Sequence, residues 1–334
     1  MLAPVLFFLS SGPALYAWTV PHTQFVHSVN NAMIECRFDD ALRMTDSLQQ
    51  LHPEEPLAPL LRLSALGLQD LDLEQKGESP QFEHTCSLTL RLIDTLEAAE
   101  GTSSYSMTLR GFALGSLTSY HLRLGRYTAA VGSGVEALRL LREAKERDGS
   151  NADADFFLGL YNCARGELRR RLWWLLFWYP GGEQEGIVQL ENSSRNGILA
   201  SGAATLSLVD VYLQARRFDD AARVLQELES RFSQSRFVLW ARARYFEAVG
   251  DNKRAAHVYG KLSVSYRALG QTGRYNALVT GCSQARLLVD AGDAMEAARV
   301  AGGLETLCLH VEDERLEAAC RELRKIARRT GDSR

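Results

Sequence analysis

The residues best able to do chemistry in this 334-residue chain are a glycine cluster, two histidine–cysteine pairs, two carboxylate pairs and an arginine–tryptophan run. Gly132-Ser133-Gly134-Val135-Glu136-Ala137 has the letters of a dinucleotide-binding turn. Such a turn works by following a strand and opening a helix, so that backbone amides cradle a phosphate. Here the letters fall inside a helical stretch and follow no strand. His84-Thr85-Cys86 and Cys308-Leu309-His310 carry metal-ligating atoms two positions apart. Each helical step turns about 100°, so such residues point about 200° from each other and cannot grip one ion from a regular helix. Asp39-Asp40 and Asp219-Asp220 stand where helices would begin, and negative charge there stabilises the positive end of the helix dipole without any catalytic role. No Walker loop, Gly-x-Ser-x-Gly elbow or His-Glu-x-x-His helix occurs. These residues describe a chain that is not an enzyme and that uses neither a metal nor a cofactor.

The elements that hold these residues are helical. The chain has 8 prolines and is 46% hydrophobic and 24% charged, and it contains no alternating Val/Ile/Thr-rich run between turn residues, so propensity points to an all-α protein. Net charge is −3, which lacks the basic footprint that nucleic-acid binders use to neutralise phosphates. Residues 1 to 100 hold 14 Asp+Glu against 5 Lys+Arg, and the remainder holds 27 against 33. One end is therefore acidic and the other mildly basic, an asymmetry that either steers a charged partner or only solvates helix faces.

Met1 to Ala17 has the layout of an export signal. An apolar stretch (Leu2, Val5, Leu6, Phe7, Phe8, Leu9) runs into Gly12-Pro13 and then Ala14-Leu15-Tyr16-Ala17, a small-residue site before cleavage. No Lys or Arg precedes the apolar core, and the stretch is too short for a bilayer span. The reading is an exported, periplasmic or envelope-associated protein; a terminal helix of a cytoplasmic protein is the alternative. Six cysteines, Cys36, Cys86, Cys163, Cys282, Cys308 and Cys320, are scattered singly. Their helical, apolar settings suit free thiols acting as small core residues. If the chain is exported, Cys308 with Cys320 is the pair nearest in sequence.

A repeat organises the helices. An offset of 34 residues pairs Tyr212 with Phe246, Ala221 with Ala255, Leu225 with Tyr259 and Leu228 with Leu262. One turn recurs, with Gly or a polar residue, an aromatic and then Ala: Arg37-Phe38-Asp39-Asp40-Ala41, Gly125-Arg126-Tyr127-Thr128-Ala129-Ala130 and Arg217-Phe218-Asp219-Asp220-Ala221. Two further copies, from Gly250 to Ala255 and from Gly292 to Ala297, keep Gly and Ala but lose the aromatic. Glycine suits a left-handed helix C-terminus, and alanine suits a close helix crossing. Pro53 stands where a second helix should stop.

These residues resemble the tetratricopeptide repeat family over most of residues 20 to 310, although Thr205 and Leu239 stand where that family commonly has Trp, and Arg242 where it has Leu. The resemblance implies a right-handed superhelical solenoid built of helical hairpins. The gaps between the reference alanines 41, 130, 221, 255 and 297 place two diverged repeats at residues 57 to 100 and 152 to 198. That gives seven hairpins over 18 to 310 and an amphipathic capping helix with a basic tail over 311 to 334. A solenoid buries its core between neighbouring hairpins and leaves an extended concave face free. In this family that face binds a peptide or a partner helix, so the implied function is a protein-binding scaffold.

One segment breaks the pattern, an irregular insertion over 165 to 182. Arg169-Arg170-Arg171 runs into Leu172-Trp173-Trp174-Leu175-Leu176-Phe177-Trp178-Tyr179-Pro180. The run is apolar all round and too short to span a bilayer. Three uses fit: a plug inside the superhelix, a partner-binding patch, since Trp, Tyr and Arg dominate hot spots, or a peripheral membrane anchor, with arginines beside aromatics at the headgroup layer. Gly159, Tyr161, Asn162 and Gly181-Gly182 are also similar to a helix and glycine turn in a subgroup of tetratricopeptide proteins related to mitochondrial outer-membrane proteins that clear lipid-associated inclusion bodies.

Overall fold

The computed structural model describes residues 20–75, 77–171, 182–309 and 313–331. Among them are fifteen α-helices: α1 Val20–Ile34, α2 Phe38–Leu51, α3 Leu57–Asp72, α4 Pro80–Glu100, α5 Ser104–Arg123, α6 Tyr127–Arg147, α7 Ala154–Arg171, α8 Glu183–Asn196, α9 Ser201–Gln214, α10 Phe218–Phe232, α11 Arg236–Ala248, α12 Asn252–Arg267, α13 Arg274–Asp290, α14 Ala294–Leu304 and α15 Glu314–Gly331. Taken in order, α1 to α14 form seven antiparallel hairpins. The two diverged repeats are α3 with α4 and α7 with α8, and the chain is an all-α helical-repeat solenoid.

The recurring turn is a helix stop with a defined geometry. Cys36, Gly125, Arg216, Gly250 and Gly292 each take positive φ, from 56° to 82°. The next residue's N–H reaches back to a carbonyl five positions earlier, as in Arg37 N to Ala32 O (2.9 Å) and Asp251 N to Phe246 O (2.8 Å). This is the Schellman arrangement, which satisfies the orphan carbonyls of a helix end. A sixth copy closes α3, where Glu74 takes φ 47° and Gln75 N bonds Asp70 O at 3.0 Å. The sequence pattern hides it because a longer loop follows.

The reference alanines 41, 130, 221, 255 and 297 are buried at the crossings within hairpins, as are Tyr212 and Phe246. Asp40 pairs with Arg37 and Arg43, and Asp220 pairs with Arg217 and Arg223, in the first turns of α2 and α10. Tyr127 departs from the expected pattern: it opens α6 as Phe38 opens α2, but its ring is solvent-exposed, whereas Phe38 is core. The free-cysteine reading also needs correction. Cys308 ends a short 3-10 turn and is disulfide-bonded to Cys320 of α15, with Cα atoms 5.7 Å apart. That bond ties α15 down beside the buried Leu316, Leu323 and Ile326. Cys36, Cys86, Cys163 and Cys282 are free. Residues 1–17, read as an export signal, lie outside the described residues.

The concave face does not run as an open groove, because the solenoid curls into a ring. The first two hairpins curl round to touch the fifth, sixth and seventh. Asn30 of α1 donates from Nδ2 to the carbonyls of Ile198 and Leu199, both at 3.1 Å, and the Ser235 hydroxyl donates to Ile34 O at 2.5 Å. Gly202 lets α9 approach α1, since a Cβ there would lie 2.3 Å from Ile34 Cδ1. The strongest link is Asp72, the last residue of α3. Its carboxylate takes Nε (2.9 Å) and Nη2 (2.5 Å) of Arg236 and the Tyr266 hydroxyl (3.0 Å), and its main-chain carbonyl takes Asn276 Nδ2 (2.8 Å). The Asp72 side chain is 0% exposed and that of Arg236 11%. Removing one member of a buried pair strands the other, at about 3–5 kcal/mol. Asp72→Ala should therefore undock hairpins 1 and 2. The expected outcome is a larger radius of gyration by small-angle X-ray scattering with far-UV helical signal retained, since each hairpin still packs on its neighbours.

Candidate binding cavity

Closure turns the concave face into a cavity of about 780 Å³. Its walls are the first helices of the first six hairpins, α1, α3, α5, α7, α9 and α11, with Phe82 of α4 and Tyr266 of α12 behind them. The inward stripe of each helix supplies the surface: Leu60 and Leu61 from α3, Phe112 from α5, Phe156 and Phe157 from α7, Trp240 from α11. The aromatic side chains brace one another, with the Phe112 and Phe157 rings edge to face at 5.1 Å. Glycine permits this packing on α5, where a Cβ on Gly115 would lie 2.6 Å from the Phe157 ring.

The polar groups around this apolar interior are arranged in pairs. Arg123 Nη2 lies 2.8 Å from Asp70 Oδ2, and Arg244 Nη2 lies 2.9 Å from Asp210 Oδ2. Burial pushes both carboxyls above the usual range, and the arginine beside each pulls it back. Tyr266 is likewise pushed up, by burial and then by the neighbouring Asp72. Four serines, Ser64, Ser116, Ser119 and Ser207, line the cavity, and no histidine or cysteine does so among the described residues. The arrangement is that of an apolar receptor with neutralised polar edges.

A second buried carboxylate shapes the wall. Asp153, just before α7, accepts the N–H groups of Ile198, Leu199 and Ala200 on one oxygen, Oδ1, at 2.9, 2.9 and 3.1 Å. These are donors at the entry to α9, and Leu199 and Ala200 line the cavity. Burial pushes the Asp153 carboxyl up to about 6, against the pull of the three N–H groups.

The residues singled out from sequence fall elsewhere. Arg169, Arg170 and Arg171 form the last residues of α7, whose opposite end lines the cavity. Trp173, Trp174, Phe177, Trp178 and Tyr179 lie outside the described residues. Gly159 and Gly186 mark a close crossing of α7 and α8: a Cβ on either would come within 2.9 Å of the other's carbonyl oxygen. Tyr161 sits between Arg142 and Arg165, whose guanidinium carbons lie 5.8 and 5.7 Å from its ring centre. Asn162 donates to Gln189 Oε1 at 2.8 Å. Packing between α7 and α8 thus accounts for this group.

Gly132 and Gly134 lie within α6 and follow a helix. Cys86 is buried, which pushes its thiol up to about 11, and Cys308 is committed to its disulfide. Among the described residues, no cluster of three or more metal-ligating side chains occurs, and no helix is long and apolar enough to cross a membrane. Asp72, Asp153, Arg236 and Tyr266, which close and shape the cavity, carry no spacing signal that would have marked them.

No protein-family model and no curated protein matches this sequence. Solved structures do resemble the fold. A chain of the APC/C Cut9–Hcn1 hetero-tetramer superposes with a TM-score of 0.53 at 13% identity, over 95% of this chain and 57% of that one. This chain thus spans little more than half of that neighbour's length. Human IFIT1, a dimer with PPP-AAAA, gives a TM-score of 0.50 at 15% identity, over 88% of this chain and 67% of that one. With the hairpins and the recurring turn, these likenesses show an all-α helical-repeat solenoid fold similar to that of tetratricopeptide-repeat proteins.

Asp153 gives the cavity wall a pH signature. Its carboxyl binds a proton more readily folded than unfolded, so its stabilising contribution is full below about pH 4 and is lost as pH rises through about 6. Asp153→Asn keeps an Oδ1 acceptor and cannot titrate. The melting temperature of that variant should rise relative to the parent as pH goes from 4 to 7. Asp153→Ala, which orphans three N–H groups, should be less stable throughout.

Proposed function

We propose that this chain is a non-enzymatic protein-interaction scaffold whose central cavity receives a short, extended apolar segment of a protein partner. The observation that carries this reading is the apolar cavity of about 780 Å³ walled by six hairpins. Pockets of roughly 300–1,000 Å³ with a few placed polar groups are the usual form of a binding site. The groove between the inner helices is narrow and lined by bulky rings such as Phe112, Phe157 and Trp240. A few side chains of an extended segment fit it. The Cut9–Hcn1 structure is a hetero-tetramer, and human IFIT1 is a dimer with PPP-AAAA. That solenoids of this fold take partners supports a binding role here.

We also infer that the protein works in an oxidising compartment, exported or associated with the cell envelope. The Cys308–Cys320 bond supports this, because disulfides persist in such compartments and are rare in the cytosol of most organisms. The apolar Met1 to Ala17 stretch points the same way. Denatured protein from the native source should show four reactive thiols before reduction, Cys36, Cys86, Cys163 and Cys282, and six after it. Six before reduction would remove this support.

Site-specific photo-crosslinking tests the binding reading. A photoreactive side chain at Phe157, inside the cavity, should form a polypeptide adduct that one at the exposed Leu51 does not. Ser207→Trp, which fills the cavity, should reduce that adduct at least tenfold. A lipid adduct instead would favour a membrane-peripheral protein using Arg169 to Tyr179 at the interface. No adduct from Phe157 would remove the cavity from the binding surface.

A further inference from the structure

The C-terminal helix α15 is held in place by little apolar surface. Its 18 residues bury one stripe, Leu316, Cys320, Leu323 and Ile326, at steps of four, three and three, against α13 and α14. Glu317, Arg321, Glu322, Arg324 and Lys325 leave its other faces charged and exposed. A helix of this length is marginal by itself and takes most of its stability from the face it packs. Cys320 belongs to that stripe, so its bond to Cys308 fastens the helix within its own contact.

The two halves of that bond are held differently. Arg274, the first residue of α13, donates from Nε to Leu307 O at 2.9 Å and from Nη2 to Leu309 O. It therefore grips the main chain on both sides of Cys308, independently of the disulfide. Cys308 is partly exposed, whereas Cys320 is fully buried. When the bond opens, Cys308 keeps its place and α15 is the part free to leave; when α15 returns, the two sulfurs meet again. The neighbouring Cys282 thiol, with Sγ 3.8 Å from Ala319 O, is pushed up to about 12 by burial. It stays protonated and does not compete for Cys320, because exchange requires a thiolate.

The same helix reaches across the ring. Arg315 donates from Nη1 and Nη2 to Glu74 O, both at 3.2 Å, and its guanidinium carbon lies 4.5 Å from the centre of the Tyr275 ring of α13. Glu74 stands two residues after Asp72 and lines the cavity beside Leu71, and both Glu74 and Leu71 are exposed. The helix fastened by the disulfide therefore lies against one edge of the cavity mouth.

We propose that the Cys308–Cys320 bond is a redox latch whose reduction frees α15 and clears the Glu74 edge of the cavity mouth. The reductant is a dithiol. One of its thiolates attacks Cys308 Sγ, the accessible sulfur, and Cys320 leaves as a thiolate that takes up a proton. The second thiol of the reductant then attacks the mixed disulfide and releases Cys308 as a thiol. Two protein thiols form, and the dithiol is oxidised to a disulfide. Clearing the mouth bears on binding only if the cavity has the role proposed above; the release of α15 does not rest on that reading.

Hydrogen exchange of the full chain, with and without dithiothreitol, tests the latch. The other four cysteines are free, so dithiothreitol acts at one place. Reduction should speed exchange in residues 314–331 by roughly tenfold or more and speed it in 71–75 as well, with α5 to α10 unchanged, and re-oxidation should reverse both effects. Cys308→Ser should show the reduced pattern without dithiothreitol and no response to it. Arg315→Ala should speed exchange in 71–75 while α15 stays protected, which separates the contact at Glu74 from general unfolding. Equal protection of α15 before and after reduction would overturn the latch, as would loss of protection throughout the chain. For the cavity, the Phe157 photo-adduct should increase about threefold or more in Cys308→Ser. An unchanged adduct would overturn the clearing of the mouth while the latch stands. No adduct in either protein would sink the binding role itself and leave the latch to be decided by the exchange data.

Discussion

A carboxylate buried at the C-terminal end of a helix sits against the negative end of that helix's own dipole, so its neutralising groups must come from elsewhere. For Asp72 they come from residues more than 150 positions away. Arg236, the first residue of α11, supplies a charge and a two-pronged hydrogen bond, Tyr266 a hydroxyl, and Asn276 an amide to the main-chain carbonyl. The start of α11 also carries the positive end of its own dipole. Repeat proteins gain most of their stability between adjacent units, and nothing in that scheme joins the second hairpin to the sixth and seventh. This one residue does. Well-packed apolar groups could match a buried ion pair in stability; what they do not provide is direction. The Arg236 fork and the Tyr266 hydroxyl fit Asp72 in one orientation, and Trp240 donates to the same Tyr266 hydroxyl at 3.0 Å.

The cavity follows from that closure together with the choice of small residues on the inner helices. Gly115 lets α5 approach the Phe157 ring, and Gly202 lets α9 approach α1. Asp153 then fixes where α9 begins by gathering three N–H groups at its entry. These contacts set the spacing of the walls.

Much of this architecture was legible in the sequence. The left-handed stops at Cys36, Gly125, Arg216, Gly250 and Gly292 are each followed by an alanine, and together they locate five hairpin turns, three of them marked by the glycine that positive φ favours. The lengths of the gaps then place α3/α4 and α7/α8. The sixth stop, at Glu74, was hidden because a longer loop separates it from the next helix, α4. Closure was hidden for a different reason: Asp72 looks like any helix-terminal acid until the curvature of the whole chain brings Arg236 to it. Tyr127 misled because an aromatic at a repeat position is core only where a neighbouring hairpin covers it. The Cys308–Cys320 bond needed the 3-10 turn after α14 to bring the two residues together.

Closure also bears on the proposed function. In an open solenoid the groove that binds is also the surface most exposed to solvent, and a partner can lie along it at any time. Here contacts between hairpins distant in sequence join the two ends of the groove into a ring, while Leu71, Glu74 and Ser119 on its lining stay exposed to solvent. Those contacts are few: Asp72, Asn30, Ser235 and the Phe38–Phe237 ring pair carry much of the junction. The hairpins on either side keep their own cores. Parting this junction therefore needs the loss of these several contacts and not the unfolding of a repeat, and local openings of this kind lie at lower free energy than global unfolding. Under the proposed function, a segment reaches the apolar interior past the exposed Leu71, Glu74 and Ser119 without parting that junction, whose contacts set the spacing of the walls.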